Sequence, residues 1–588
     1  MEKYKWDLTR IFKNNNEFKE TIKEVNKLLD KIIKYQGKIL DNDSSLLELL
    51  ELDEKIELLT ERVYVYAHLG YYDNMGNVTF QSLKEESLNL INKVSSITSF
   101  ITPELLSSSY DTVKKFISKN KKLEKYSLSL ERTFRYKDHV LSFKEEKLLS
   151  NMSEILRTPE SAFESINNID IKLGKIKDEN GKSIELTNSN YSSLLMSKDK
   201  SVRRNAFKKM YKYFENHINT ISSLYIGNVK NDVFLSKTRK YKSSLDMELF
   251  PDNISEELYN NLIKTTDKNI KYLQDYYKLK SKSLGYKMHM YDLYVNSSVM
   301  PSKKITYEES INIVNNALKP LGEDYLNKFN YLLKSGVVDV YPKDKKRSGA
   351  YEWGTYGILP YVSLNYENNV DSVSTLIHEM GHAMHSYYSD LNQEYLYSRY
   401  PIFLAEIAST VNEILLSEYL LSKSNKKEEK EYYLIEFLDK FKATVYRQVM
   451  FAEFENIIHK KVENEEAVTM ELLCSEYLKL NKKHFSPVIK VDDSIKYEWA
   501  RIPHFYNSFY VYKYATGFIS ALIIVDNLLN DSSFKDKYIK FLSSGSTKYP
   551  LDLLLDLGID LKNVNTLNRA FDIFNEKLNM LKELEKEE

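Results

Sequence analysis

The chain has 588 residues, of which 42% are hydrophobic and 29% are charged, and its 84 acidic and 84 basic side chains give a formal charge of zero. This composition is typical of a globular protein with two or more subdomains and argues against intrinsic disorder. The balanced charge provides no overall attraction to nucleic acid or to an anionic membrane, so we expect neither as a partner. The single cysteine, Cys474, excludes intramolecular disulfides and cysteine-based zinc ribbons.

No stretch of the sequence predicts a targeting or membrane segment. The first residues, MEKYKWDLTRIF, lack the apolar core of a signal peptide, and the longest apolar run, at 518–525, is too short to span a bilayer. We therefore expect a cytoplasmic protein. The oligomeric state is left open.

Long helices are expected because Gly and Pro, with 16 and 11 residues, are scarce for this length. Apolar residues recur at three- and four-residue steps over 18–32, and similar patterns cover 46–67 and 80–97. The helical pattern breaks near Pro103 and then resumes to about residue 165.

Two stretches have a β-like pattern instead. At 171–187, apolar residues alternate around Asn180-Gly181, which is a strong signal for a hairpin turn. At 348–366, three glycines precede the short run YVSLNY. Helical patterns dominate the rest, so the predicted fold class is mainly α with small β elements near these two stretches. The expected domains are an N-terminal helical lobe (1–110), a helical subdomain with the hairpin (111–195) and a larger domain (196–588) that carries the motifs described next.

The segment TLIHEMGHAMHSYYS (375–389) contains three of the ten histidines of the chain. His378, Glu379 and His382 fit the pattern H-E-x-x-H. On a helix, positions i and i+4 lie on one face, so both imidazoles can bind one metal ion while Glu379 acts on a metal-bound water. A chance match on a core helix is the alternative, and a third ligand is needed to set it aside.

The helix that carries this motif is expected from Asp371 to Tyr388, with Asp371 or Ser372 as its N-cap. Gly381 lies in its interior, where glycine costs about 1 kcal/mol relative to alanine. Close approach by another element would explain the glycine. His385 lies one turn beyond the motif, and three histidines in a nearly linear row would have to reach one ion. We therefore interpret His385 as a packing residue or a support behind the ligands.

The stretch 400–421 is expected to be a helix that is apolar on most sides and therefore buried. Glu406 and Glu413 lie on its polar stripe, and a buried carboxylate is unfavourable unless it is paired or binds a metal. Glu406 is the expected third ligand, and Glu413 is the expected acceptor that orients a ligating histidine. A hydrogen-bonded pair of buried carboxylates is the structural alternative. Two histidines and one glutamate, with one position left for water, are typical of a catalytic zinc site.

The segment WARIPHFYNSFYVYKYATG (499–517) places His504 before four tyrosines, at positions 506, 510, 512 and 514. Histidine and tyrosine can donate to the oxyanion that forms when a zinc-bound water attacks an amide. An aromatic core element is the simpler interpretation of this segment when it is considered alone.

These motifs, together with AEIASTVNE, SGAYEWGTYG, WDLTRIF, DENGKSIELT and MYDLYV, resemble those of oligoendopeptidase F, a bacterial relative of thimet oligopeptidase, in the same order along most of the chain. The resemblance implies a multi-lobed helical metallopeptidase of the zincin type. Its deep, enclosed substrate channel would admit short unstructured peptides and exclude folded proteins. The implied zinc site has one ion per chain, bound by His378, His382 and Glu406, with Glu379 as the general base.

The resemblance also assigns His504 to the oxyanion and places Tyr506 and Tyr510 at the substrate. Further implied substrate-binding residues are Gly349, Gly354, Tyr356, Gly357 and Tyr512. The 348–366 stretch resembles a substrate-binding loop and edge strand, which could pair with an extended peptide backbone. The third tyrosine of thimet oligopeptidase would align with Lys513, so Tyr512 and Tyr514 are alternatives for that role.

The predicted function is that of a zinc-dependent endopeptidase that cuts internal bonds of short unstructured oligopeptides. A related zinc carboxypeptidase on a similar helical scaffold is the first alternative. A non-catalytic helical peptide-binding protein is the second, and the intact set of His378, Glu379, His382 and Glu406 argues against it.

Overall fold

A computed structural model describes residues 4–295, 298 and 304–586, and among these the side chain of Phe143 is not described. Helices account for 73% of the structure and strands for 3%. The prediction of a mainly α fold with small β elements is confirmed. Within the described ranges, no helix has both the length and the hydrophobicity that crossing a bilayer requires.

The α-helices of the described residues are numbered in chain order. The first thirteen are α1 (Asn15–Ile32), α2 (Asp43–Asp73), α3 (Val78–Thr98), α4 (Ile101–Leu106), α5 (Tyr110–Lys119), α6 (Ser127–Arg135), α7 (Phe143–Leu156), α8 (Thr158–Glu164), α9 (Asn188–Met196), α10 (Lys200–Thr238), α11 (Ser244–Leu249), α12 (Glu256–Lys268) and α13 (Ile270–Leu284). The others are α14 (Tyr307–Ala317), α15 (Gly322–Lys334), α16 (Val370–Asn392), α17 (Tyr395–Ser398), α18 (Ile402–Lys423), α19 (Lys427–Phe441), α20 (Arg447–Glu463), α21 (Met470–Phe485), α22 (Tyr512–Asn530), α23 (Phe534–Leu542), α24 (Pro550–Asp556) and α25 (Val564–Leu584).

Five short strands form two small sheets in the described part of the chain. β1 (Lys175–Lys177) and β2 (Ser183–Glu185) make an antiparallel hairpin in which Ile176 pairs with Ile184. The second sheet has the order β3-β5-β4, built from β3 (Val338–Asp339), β4 (Tyr351–Trp353) and β5 (Tyr361–Ser363). β3 runs parallel to β5, and β4 pairs with β5 in the antiparallel sense and lies at the edge.

The chain packs into two compact units, and each unit combines three separate segments. Unit 1 contains Met1–Phe143, Lys303–Tyr419 and Ile524–Gly558. Unit 2 contains Lys144–Ser302, Leu420–Ile523 and Ile559–Glu588. The three contiguous domains expected from the sequence stay a prediction.

Local structures that the sequence predicted occur in both units. The apolar stripe of α1 is buried in unit 1, with Phe18, Val25 and Ile32 at 0% exposure. The predicted break near Pro103 falls at residues 99–100, between α3 and α4. Pro103 itself lies in the first turn of α4, where its missing N–H has no partner to lose. In unit 2, Gly181 adopts φ +77°, a left-handed conformation that glycine enters freely, and it closes the predicted hairpin.

Helix α16, which carries the H-E-x-x-H motif, begins one residue earlier than expected. Its N-cap is Asn369, whose side-chain oxygen accepts from the N–H of Ser372 at 2.8 Å. The expectation of Asp371 or Ser372 as the cap is therefore wrong. Asn369 has the extended backbone that a cap needs, whereas Asp371 lies in the first turn, where its charge favours the helix dipole.

Gly381 allows α16 and α18 to approach each other closely. A Cβ atom at this position would lie 2.6 Å from the Cα of Ser409 and 2.9 Å from the carbonyl oxygen of Ala408. Both atoms belong to the backbone of α18, so neither can move aside without moving the helix. This contact explains why a helix interior keeps a glycine despite its low helix propensity.

We expect Gly381→Ala to destabilise the protein, by about 1–3 kcal/mol, because the added methyl group forces the two helices apart. The measurement is thermal or denaturant unfolding of the purified variant. Gly227→Ala is a matched control, since Gly227 also lies inside a helix but an added Cβ would meet only a ring carbon of Pro159 at 3.6 Å. That variant should be neutral or more stable by up to about 1 kcal/mol. Equal behaviour of the two variants would show that close packing at Gly381 does not matter.

Candidate metal centre

Three side-chain donor atoms from two helices converge in unit 1. The Nε2 atoms of His378 and His382, both on α16, lie 3.2 Å apart. An oxygen of Glu406, on α18, lies 3.6 Å from the first and 3.7 Å from the second. The sequence spacing of the histidines and the approach at Gly381 together produce this triangle.

The triangle has the size that a zinc ion requires. Zinc–nitrogen and zinc–oxygen bonds of about 2.0–2.1 Å give a tetrahedron with edges of about 3.3–3.4 Å. The observed separations of 3.2, 3.6 and 3.7 Å are close to these edges. Two imidazoles and one carboxylate are also a typical donor set for catalytic zinc, with a fourth position for water or substrate. The residues therefore fit the metal that their pattern implies.

Each histidine is oriented by a partner on α18. The Nδ1 atom of His378 lies 3.2 Å from a carboxylate oxygen of Glu413, close enough for a strong electrostatic contact. The ring of His382 lies close to the backbone of Ala405, an interaction that opposes part of the fall in its pKa. Partners at the far nitrogen fix the ring and leave Nε2 for the metal.

Burial and charge act differently on the two ligating rings. Burial lowers the pKa of His378, but the contact with Glu413 and the charges of Glu379 and Glu406 outweigh it, so the pKa is raised overall. Burial, together with the charge of His378, lowers the pKa of His382 to about 3. His382 is therefore neutral and ready to bind a metal, while His378 holds a proton more strongly than a free imidazole does, which competes with metal binding.

Glu379 is a buried carboxylate beside the ligands, with 8% of its surface exposed. Burial raises its pKa to about 7, and the neighbouring His378 acts in the opposite direction. The backbone of Glu352, in strand β4, lies close enough to the Glu379 carboxylate to oppose part of this rise in pKa. A buried carboxylate whose pKa lies near neutrality is suited to accept a proton.

Glu352 itself was not recognised from the sequence. Burial raises the pKa of its side chain to about 7, while Arg399 and Ser386 oppose that shift. Glu352 interacts with Glu379 through its backbone, which every residue type has. The identity of the residue at position 352 therefore gave no indication of this interaction. Only a prediction of strand pairing and of its distance from α16 could have found it.

His385 does not belong to the triangle of donor atoms. Its ring is 1% exposed and stacks on the ring of Tyr400, with centroids 3.6 Å apart and planes parallel to within 1°. Burial lowers its pKa to about 3, so it is neutral. The ring lies in an aromatic cluster that also includes Phe541.

The expected substrate-binding loop surrounds strand β4. Gly349 and Gly357 have φ values of +82° and +75°, which suit glycine. Side chains hold the backbone carbonyls of this loop: Asn365 donates to Gly349 at 2.6 Å, and Arg399 donates to Gly354 at 2.9 Å. The hydroxyl of Tyr356 donates to the carbonyl of Gln393 at 2.9 Å. Peptide binding by these residues stays a prediction.

In unit 2, His504 forms a cluster with two of the four tyrosines. Its Nε2 lies 3.2 Å from the hydroxyl of Tyr514, whose ring meets that of Tyr510 edge-on at 5.3 Å. Tyr512 is only 1% exposed and packs against Tyr259 at 5.3 Å. A side chain so deeply buried does not suit contact with a peptide, whereas Tyr514 lies beside His504. Substrate binding by either tyrosine stays a prediction.

Tyr506 lies on another side of the same segment. Its ring stacks on Phe163 at 4.4 Å, and burial raises its pKa. Within the part of the chain that the structure describes, its hydroxyl has no hydrogen-bond partner. The structure therefore separates Tyr506 from the pair Tyr510 and Tyr514, which the even spacing in the sequence did not reveal.

Comparison with known proteins identifies the family of this chain. Residues 193–573 match Peptidase family M3, and residues 104–172 match the family described as Oligopeptidase F. The chain belongs to peptidase family M3. Membership makes it a peptidase, an enzyme that hydrolyses peptide bonds, and implies a metal cofactor. The family resemblance stated from the sequence is confirmed.

Close relatives in the family span the whole chain. Oligopeptidase PepF of Bacillus subtilis (strain 168) is 39% identical over 98% of this chain and 87% of its own length. The plasmid-encoded oligoendopeptidase F of Lactococcus lactis subsp. cremoris is 36% identical over 99% of this chain and 97% of its own. The crystal structure of oligoendopeptidase-F from Enterococcus faecium is 33% identical, covers 98% of this chain and 100% of its own, and has a TM-score of 0.76.

We expect Glu406→Ala to lose most of its zinc, because removal of one of three protein ligands leaves only two imidazoles. Zinc content after dialysis, measured by atomic absorption, checks this. His385→Phe is the control: it preserves the stack on Tyr400 and should keep one zinc ion per chain. Stoichiometric zinc in Glu406→Ala would remove Glu406 from the ligand set.

The raised pKa of Glu379 has a consequence for the metal-free protein. Because folding raises this pKa from 4.5 to about 7, the folded chain keeps a proton that the unfolded chain has lost. Stability therefore falls as the pH rises through this window. We expect metal-free Glu379→Gln to melt about 1–3 °C above metal-free wild type at pH 8, with the difference disappearing toward pH 5. Scanning calorimetry with a chelator present measures this, and a difference independent of pH would contradict it.

Proposed function

We propose that the protein is a zinc-dependent endopeptidase that hydrolyses internal bonds of short unstructured oligopeptides. The observation that carries this proposal is the convergence of His378, His382 and Glu406 beside the buried carboxylate of Glu379. Relatives that span nearly the whole chain are named oligoendopeptidase F, which supports internal cleavage of small peptides. A deep enclosed channel and a cytoplasmic location are parts of the same proposal.

The chemistry divides between the metal and the chain. When bound, zinc supplies Lewis acidity toward the scissile carbonyl and the attacking water. Glu379 takes the proton of that water as the new C–O bond forms, and then delivers it to the departing nitrogen. The backbone of Glu352, which lies beside Glu379, is proposed to position its carboxylate for both transfers. Glu413 and the backbone of Ala405 keep the two imidazoles oriented throughout.

Further residues are proposed to handle the substrate. His504 and Tyr510, with the neighbouring Tyr514, would donate to the oxyanion, since their side chains are only partly buried and carry N–H or O–H groups. Tyr506, which stacks on Phe163 away from this pair, is proposed to contact the substrate. The edge strand β4 and its glycine-containing loop would bind the extended peptide backbone. Backbone pairing recognises peptides with little regard for their side chains.

A carboxypeptidase on a similar helical scaffold is the remaining rival for the reaction. The two enzymes differ in what they require at the end of the substrate. An endopeptidase cuts a peptide whose amino and carboxyl termini are both blocked, whereas a carboxypeptidase needs a free carboxylate.

We expect zinc-loaded wild type to cut a doubly blocked, fluorescence-quenched peptide of about ten residues, with products at internal positions by mass spectrometry. Glu379→Gln should retain zinc and lose at least about 10³-fold in kcat, because an amide cannot take the proton of the water. A chelator should abolish cleavage by wild type.

His385→Phe serves as the activity control, since that ring packs away from the ligand triangle and should leave kcat within about threefold. Cleavage restricted to peptides with a free carboxyl terminus would favour the carboxypeptidase. Near-normal turnover by zinc-loaded Glu379→Gln would end the assignment of the base.

A further inference from the structure

The segment that carries the tyrosines of unit 2 contains a backbone conformation that its residue type disfavours. Phe509 has φ +58°, in the left-handed region. The Cβ atom of a bulky residue crowds the backbone there, which is why glycine or asparagine usually occupies such positions. A phenylalanine in this conformation must be held by its surroundings.

Glu455, on helix α20, stabilises the strained residue through a hydrogen bond to its backbone. Its Oε1 accepts the backbone N–H of Phe509 at 3.0 Å, and its side chain is completely buried. Burial raises the pKa of Glu455 well above its usual range and so favours the uncharged carboxyl group, whose Oε1 still accepts this hydrogen bond. By accepting from this backbone N–H, the buried carboxyl group stabilises the left-handed conformation of Phe509.

Asp232, on helix α10, holds the preceding residue. Its Oδ2 accepts from the hydroxyl of Ser508 at 2.7 Å and lies 3.1 Å from Nε2 of His459. Nδ1 of His459 in turn lies 2.9 Å from the backbone carbonyl of Glu455, and its ring packs on Phe509 with centroids 4.5 Å apart. Two long helices therefore fix two consecutive residues of one turn.

Tyr510 follows this turn directly. Its N–H donates to the carbonyl of Asn507 at 3.3 Å, and its side chain is partly exposed while Ser508 and Phe509 are buried. The backbone angles at Phe509 set the direction in which the chain leaves the turn. They consequently set where the Tyr510 hydroxyl lies.

We propose that Glu455 and Asp232 are positioning residues for the reaction: through the Ser508–Phe509 turn they hold Tyr510 in its working orientation. This inference rests on the proposed function, in which Tyr510 donates to the oxyanion. It assigns a role to two carboxyl groups that lie in a different unit of the chain from the metal ligands.

The first test compares two substitutions of Glu455 in the zinc-loaded full chain, with the doubly blocked peptide as substrate. Glu455→Leu removes the acceptor for the Phe509 N–H, and we expect kcat to fall about 10- to 100-fold with KM changed less than about threefold. Glu455→Gln keeps a neutral acceptor of the same shape and should retain kcat within about threefold. Equal losses in the two variants would overturn the inference.

A milder variant keeps the test decisive if Glu455→Leu folds poorly. Ser508→Ala removes only the hydroxyl that Asp232 holds, and we expect a loss in kcat of about 3- to 10-fold with unchanged zinc content. The control is Asp292→Asn, which weakens a buried ion pair of unit 2, with Arg203 at 2.8 Å. It should lower Tm without lowering kcat. A kcat for Ser508→Ala equal to that of wild type would contradict the inference.

The deciding experiment is a double-mutant cycle with Tyr510→Phe. If Glu455 acts through Tyr510, the double variant should be no slower than Tyr510→Phe alone, and the two losses should not multiply. Multiplied losses, with Tyr510→Phe slow on its own, would overturn the inference and leave the proposed role of Tyr510 intact. A Tyr510→Phe variant as fast as wild type would instead overturn that role, and the inference with it.

Discussion

The metal centre depends on the close approach of helices α16 and α18. Two histidines on one helix can provide only two corners of a tetrahedron, and the third must come from a neighbouring helix at the correct height. The backbone contact between Gly381 and Ser409 sets that distance, which brings the Glu406 oxygen within 3.7 Å of both imidazoles. The same contact aligns Glu413 with the far side of His378. The candidate ligand Glu406 and the orienting group Glu413 therefore both lie on α18, and the same contact between the helices positions both.

Electrostatics makes this geometry unfavourable without a cation. Glu379 and Glu352 are buried carboxyl groups, and the charge of Glu379 adds to the effect of burial in raising the pKa of Glu352. Glu406 and Glu413 add further negative charge around two imidazoles of which one is neutral. Like charges in a poorly solvated site repel strongly, so the arrangement is suited to a divalent ion. The site is preorganised for a charge that the chain itself does not supply.

Most structural features that depend on the identity of a side chain could be predicted from the sequence. Glu406 was predicted to lie near the motif because a buried carboxylate needs a partner or a metal. It does lie within 3.7 Å of both imidazoles, but its side chain is 51% exposed, so the premise of burial was wrong for this residue. The hairpin at Gly181 and the helices with regular apolar spacing were predictable for similar local reasons. Features that depend on the backbone path were not. Even spacing could not show that Tyr512 is buried against Tyr259 while Tyr514 lies beside His504, because this depends on the path that the backbone takes.

The contact between Glu413 and His378 makes protons and the metal competitors for one group of side chains. In the absence of metal, the carboxylates favour a proton on His378, and burial favours one on Glu379. Loading the ion must expel these protons, so the apparent affinity of the site rises with pH and falls in acid. The support that orients the ligand therefore also links the occupancy of the enzyme by metal to the acidity of its surroundings.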